Sequence, residues 1–244
     1  MYMSRLLTPG QRVRSLITFA LFAFSASTIR ADQVFVVNTS IGGTGPVNAQ
    51  ATFHQSGGNL LQISLVNLQS TANVGQAISG IQFQIRNSSG FLLNITGSIS
   101  SQNNPMIFVL DTGAVTNLGT LASGWGLASN GPSFYLTGLG FTGNGTNPPD
   151  ELIVGTLANP NGSIEGNRPH NPYINQTGVF TLTLSQALPA GFQISNVVIL
   201  FGTGPSSVPA NGTSPAPEPA SMVLLGTGLI GIAAGFRWRR NRKK

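Results

Sequence analysis

Between residues 32 and 200 apolar and polar side chains alternate with a period of two. Leu61, Ile63 and Leu65 in NLLQISLVN are separated by Gln62 and Ser64. The same spacing relates Ile81, Phe83 and Ile85 in SGIQFQIRN, and Phe180, Leu182 and Leu184 in VFTLTLS. Successive side chains of a strand point to opposite faces, so each segment reads as a strand with one buried face. DQVFVVN, PMIFVLD, SFYLTGL, ELIVGTL and SNVVILFG are further short runs rich in β-branched and aromatic residues. Asn130-Gly131, Asn144-Gly145, Asn161-Gly162 and the Gly42–Pro46 segment supply turn chemistry between runs. No stretch between the ends sustains a 3.6-residue pattern. About ten strands at this spacing predict an all-β domain over residues 32–205, an antiparallel β-sandwich of jelly-roll type. No fixed-period repeat supports a solenoid.

Both ends break this pattern. Arg5, Arg12 and Arg14 precede a nine-residue apolar stretch from Leu16 to Phe24, followed by small residues and then Ala31. That order predicts a signal peptide helix over residues 1–31, cleaved between Ala31 and Asp32, with Ser25 or Ser27 as alternative positions. At the other end SSVPANGTSPAPEP reads as a proline-rich linker over residues 206–219. Ala220 to Phe236 then runs without a formal charge and would be about 26 Å long as a helix, close to membrane-spanning length. Arg237, Arg239, Arg240, Arg242, Lys243 and Lys244 close the chain. They predict a basic cytoplasmic tail over residues 237–244 that stops a transmembrane helix at 220–236. Gly231 and Gly235 have the spacing of a helix-packing pair, or are simply small residues of a short apolar helix.

Charge changes the picture of the body. The 244-residue chain has a net charge of +6 and a pI near 10.8. Residues 32–214, however, hold only Arg86 and Arg168 against Asp32, Asp111, Asp150, Glu151 and Glu165, a net of −3. The basicity is confined to the ends, and nucleic acid is not expected as a partner because no basic footprint faces it. The chain has no cysteine, which removes disulfides, thiolate catalysis and thiolate zinc sites.

Pro217-Glu218-Pro219, the short Gly- and Leu-rich apolar segment VLLGTGLIGIAAGF and the terminal arginine cluster resemble the PEP-CTERM sorting signal of Gram-negative bacteria. The resemblance covers about residues 215–244. It implies recognition by an exosortase, a membrane transpeptidase that cuts near the motif and passes the protein to the cell surface or extracellular matrix. Before processing the membrane itself is an expected partner through the C-terminal helix. Proteins with such tails commonly accompany exopolysaccharide and biofilm systems, so exopolysaccharide is a further expected partner. The two prolines hold the motif extended and disfavour helix in the residue before each, which suits a protease groove.

The body offers little for catalysis. His54 and His170 stand in no motif, and neither Gly-x-Ser-x-Gly nor His-Glu-x-x-His occurs. No catalytic residue, metal site or cofactor is therefore assigned, and the expectation is a non-enzymatic surface or matrix protein. A polysaccharide hydrolase would have to draw its two carboxylates from Asp111, Asp150, Glu151 and Glu165. Asp150, Glu151 and Glu165 would also suit calcium if their loops converged, or form a solvated acidic loop. Trp125, Tyr135 and Tyr173 are either core residues or platforms for a sugar ring in a carbohydrate-binding module or adhesin. Ice binding would need a threonine array, of which Thr181 and Thr183 are the only hint. Seven Asn-x-Ser/Thr sequons, at Asn38, Asn87, Asn94, Asn144, Asn161, Asn175 and Asn211, are those of a chain rich in Asn, Ser and Thr.

Overall fold

A computed structural model describes residues 32–139, 151–166, 170–203, 206–209 and 211–213. The strands are β1 (Gln33–Ile41), β2 (Gly45–Gln55), β3 (Leu60–Asn67), β4 (Ile78–Arg86), β5 (Gly97–Ser101), β6 (Asn103–Val109), β7 (Val115–Ala122) and β8 (Gly126–Asn130). They continue as β9 (Ser133–Thr137), β10 (Ile153–Val154), β11 (Tyr173–Asn175), β12 (Thr177–Leu184), β13 (Gln193–Phe201), β14 (Ser206–Pro209) and β15 (Asn211–Thr213). A 3-10 turn at Val74–Gln76 is the only helical element among the described residues.

Two sheets face each other. The first has six strands in the order β15-β1-β2-β3-β12-β5. Its inner positions are Phe35, Val37, Val47, Ala49, Ala51, Phe53, Leu61, Ile63, Leu65, Phe180 and Leu182, all buried. These alternate with half-buried or exposed Thr52, Gln62, Ser64 and Thr181, as the period of two requires. The second sheet has nine strands, seven of them in the order β14-β13-β4-β10-β11-β6-β7. One edge of β4 is shared: Ile78 pairs with Ile153 of β10, and Gly80–Gln84 pair with β9, which carries β8 on its far side. Ile81, Phe83, Ile85, Met106, Phe134, Ile153, Ile174 and Ile199 meet the first sheet in one core. Phe35, Phe53, Phe83 and Phe134 form a chain of rings across it, with successive centroids 5.6, 5.0 and 5.1 Å apart. Each such side chain removed from water stabilises the fold by about 1.5–3 kcal/mol.

The corner of the second sheet around β10, β11 and β6 is covered on its other face as well. Leu152, Val154, Ile107, Val109, Tyr173 and Ile164 form a second buried cluster there, under the 3-10 turn and residues 155–166. Strands buried on both faces lose the apolar-polar alternation. Buried Asn67 fastens this cover by donating to the carbonyls of Gln76 and Ile153 and accepting from the Gln69 amide. The covering chain passes so close to residues 67–69 that a Cβ on Gly155 would collide with the Gln69 carbonyl.

This architecture corrects the predicted fold class. A jelly roll sends successive strands to opposite sheets, whereas β1, β2 and β3 lie side by side as a meander. The second sheet is mixed, because β10 and β11 pair in parallel. No helix among the described residues is long and apolar enough to cross a membrane. The signal peptide helix predicted over 1–31 and the transmembrane helix predicted over 220–236 lie outside the described residues, so neither is part of this almost all-β fold. Two strands also occupy the segment read as linker. There β14 pairs with β13 at the edge of one sheet, and β15, beginning two residues after β14 ends, pairs with β1 at the edge of the other.

Candidate functional site

The turn between β6 and β7 and the loop before β11 meet at one end of the outer cluster. In the first, the Gly113 amide donates to the Leu110 carbonyl and Gly113 takes a φ of 75°. In the second, the Ile164 and Glu165 amides donate to the Asn161 carbonyl, and the chain leaves through Gly166 at a φ of 58°. Both glycines stand in the left-handed region that costs other residues strain. Each also leaves room for the other turn's acid: the Asp111 carboxylate packs on Gly166, and the Glu165 carboxylate on Gly113. Asn171 ties the returning chain to β6, accepting from the Val109 amide at 2.9 Å and donating to the Val109 carbonyl at 3.0 Å.

The result is a depression of about 580 Å³ lined by Phe108, Leu110, Asp111, Thr112 and Gly166. Among the described residues neither the Asp111 nor the Glu165 carboxylate has a hydrogen-bond or ion-pair partner. An aromatic wall, a hydroxyl and the unpaired Asp111 carboxylate suit a polar ligand with an apolar face, since the acid accepts hydrogen bonds and the ring covers carbon.

The other acids are placed elsewhere. Glu151, with a φ of 63°, accepts from the Gly124 amide through its side chain and from Trp125 Nε1 through its carbonyl, the latter at 2.9 Å. It is thus a clamp on the chain before β8, away from the turn that holds Glu165. Asp150 lies outside the described residues. No group of three His, Asp or Glu residues able to hold a metal occurs among the described residues. His54 Nδ1 lies 2.6 Å from Asp32 Oδ1 across the β1–β2 ladder, both side chains being about half exposed at 46%. Sequence order gave His54 no such neighbour. His170 is half-buried and partnered.

Two of the three aromatic candidates belong to the core. Trp125 is buried and lies 4.7 Å from Phe180, centroid to centroid. Tyr173 is fully buried, and its phenol donates to the Ile164 carbonyl over a long 3.5 Å; burial pushes its ionisation well above the ordinary tyrosine range. Tyr135 is half-buried on β9. Thr181 and Thr183 face outward on β12, but their cross-strand neighbours are Gln62 and Ser101, and Leu60 and Ser98, so they belong to no threonine array. Asn87 uses its side chain in its own turn, accepting from the Ser89 and Phe91 amides. Phe108 escaped the sequence reading because PMIFVLD looks like a uniform core run. Its signal is the Asp111-Thr112-Gly113 turn, which ends the strand and lifts Phe108 and Leu110 to a rim.

The tail carries the remaining predicted site residues, Pro217, Glu218, Pro219 and the basic cluster, outside the described residues. Its order is Pro-Glu-Pro, a charge-free apolar segment and arginines, read from the sequence. Residues 215–240 match the PEP-CTERM protein-sorting motif. The motif spans about a tenth of the chain, takes in Pro217–Pro219 together with Arg237, Arg239 and Arg240, and begins two residues after β15. No curated protein and no solved structure is significantly similar to the chain. The PEP-CTERM segment supports export and sorting to the cell surface. The predicted membrane partnership through a C-terminal helix finds no support in the structure: among the described residues no helix is long and apolar enough to cross a membrane, and residues 220–236 lie outside them.

Proposed function

We propose that this chain is an exported, non-enzymatic protein of the cell surface or extracellular matrix of a Gram-negative bacterium. In this reading an exosortase-type enzyme processes the PEP-CTERM tail and so determines where the β domain is delivered. The observation that carries the reading is the motif match over residues 215–240. The body adds support by its chemistry: it is poor in charge, free of cysteine and dominated by a two-sheet core. Fractionation and mass spectrometry of the full chain, with the processing enzyme present or deleted, test the proposal. Loss of C-terminal residues and transfer to the surface fraction should both depend on the enzyme and on Pro217-Glu218-Pro219. An identical tail and location in the two strains would refute it.

A second reading, that the domain binds exopolysaccharide, is favoured by the Phe108–Asp111–Thr112 depression. Its shape and its free Asp111 carboxylate suit a neutral or amino sugar better than an acidic one, because like charges repel. Glycan-array binding by the full chain, abolished by Phe108→Ala and weakened about tenfold or more by Asp111→Asn, is the expected result. Binding that survives Phe108→Ala would remove this depression as the sugar site. A hydrolytic role for Asp111 and Glu165 predicts reducing-end release from the same glycans, and none is expected.

A further inference from the structure

The edges of the two sheets are unequal. β15, β14, β5 and β8 are edge strands of three, four, five and five residues, and short edges resist pairing with other chains. β7 is an edge of eight residues, Val115–Ala122, paired with β6 on one side and with no other described strand. All eight of its residues are exposed. Of the eight large apolar side chains exposed among the described residues, Val115, Leu118 and Leu121 stand on β7 and Leu110 at the turn before it. No residue from 112 to 149 is charged, and β7 holds no proline, so the side chains that usually blunt an edge are missing. The strand carries one irregularity. Ile107 pairs with Asn117 and Met106 with Gly119, which stands at a φ of 81°, so Leu118 is the extra residue of a bulge.

We infer that β7 is a self-association edge, on which a second copy of this chain pairs its own β7 antiparallel about a two-fold axis. Residues directly opposed in a ladder share a face, so the register with β6 sorts the side chains of β7. Val115, Asn117, Thr120 and Ala122 lie on the face of Ile107 and Val109, towards the outer cluster. Thr116, Gly119 and Leu121 lie on the face of Met106, towards the main core. The bulge breaks the alternation midway, and β6 follows the edge only by leaving Leu118 without a partner. A second copy carries the same break. With the axis between Leu118 and Gly119, Val115 meets Ala122 of the copy, Thr116 meets Leu121, and Asn117 meets Thr120, each pair on one face. Leu118 then lies over Gly119 of the copy, where a Cβ would have nothing within 4 Å and the space is open. All eight residues find a partner, and no like charges oppose one another in the ladder. Such an interface is isologous and closes as a dimer. It depends neither on the sorting tail nor on the Phe108 depression.

Sedimentation of the full chain over a concentration series tests the association, and should show a monomer–dimer equilibrium. Leu118→Lys and Leu118→Glu each bring two like charges together at the axis and should weaken the dimer at least about tenfold. An equal mixture of the two variants should restore it. Both substitutions fall on an exposed side chain, so the monomer keeps its fold. The tail is common to every variant, so association that survives Leu118→Lys lies elsewhere and overturns the inference. Register is read separately, because the chain has no cysteine of its own. Directly opposed residues of an antiparallel pair have Cα atoms about 4.5–5.5 Å apart, within the span of a disulfide. Full chain carrying Asn117→Cys, mixed with full chain carrying Thr120→Cys and oxidised with diamide, should give the mixed covalent dimer at least about tenfold faster than either variant gives its own, since like positions lie too far apart to bridge. Equal rates for mixed and self cross-linking overturn the proposed register. A full chain that stays monomeric at every concentration overturns self-association and leaves the edge to a strand of another protein.

Discussion

Strand β3 buries every second residue, Leu61, Ile63 and Leu65, and leaves Gln62 and Ser64 only half-buried on the outer face. Around β10, Leu152, Ile153 and Val154 are all buried: Ile153 faces the sandwich core, and its two neighbours face the outer cluster. The two regions belong to one fold but depend on different things. β3 needs only an opposing sheet. β10 and β11 also need the cover formed by residues 155–166, which Asn67, Gly155 and the 3-10 turn hold in place. A one-sided layer is therefore expected to fail with the whole domain, and the two-sided corner to loosen on its own.

The largest effect should come from the shared core. Phe83→Ala removes the ring between Phe53 and Phe134 and should lower the unfolding free energy by about 3–5 kcal/mol, with β3 and β10 losing amide protection together. Gly155→Ala should cost about 1–3 kcal/mol by forcing the cover away from Gln69. Hydrogen exchange should then rise at residues 152–155 and 173–176 while β3 keeps its protection. Equal loosening of β3 would show that the corner has no independence. Asn67→Ala removes the same cover's polar fastening and should cost about 1–3 kcal/mol, with the same regional pattern.

Tyr173 sharpens the contrast through pH. Burial raises its folded-state ionisation, so the unfolded chain loses this proton first as pH rises. Stability contributed by the neutral phenol is complete below pH about 10 and declines above it. Tyr173→Phe should flatten that alkaline decline in urea titrations, and at neutral pH it should change stability little, because the phenol's hydrogen bond is long. At the small end, Phe91→Ser alters a side chain that is 71% exposed and should shift stability by no more than about 0.5 kcal/mol.

The same contrast explains what was legible. The alternation in NLLQISLVN and VFTLTLS reports a single buried face and placed β3 and β12 with their inward residues. ELIVGTL has no alternation because both its faces are covered, and a pattern of that kind names neither the cover nor the parallel partner β11. The candidate depression was hidden for a related reason: Asp111 and Gly166 are 55 positions apart, and only the packing of two glycine turns makes them neighbours. Trp125 and Tyr173 had the composition of a sugar platform, yet the fold uses them as core. SSVPANGT reads as linker by its proline and glycine, but free edges of both sheets recruit it as β14 and β15.

By itself the sequence determined what depends on neighbours along the chain. That covers which strands alternate, where the charge is concentrated, and the order of residues 215–240 that marks the sorting motif. The tertiary structure alone decided the meander and mixed sheet in place of a jelly roll, the two-sided corner, the meeting of Asp111 with Gly166, and the pairing of the motif's approach to β1. These rest on contacts between residues far apart in sequence, whose free energy depends on which faces and edges other segments leave uncovered. Local pattern carries no term for that.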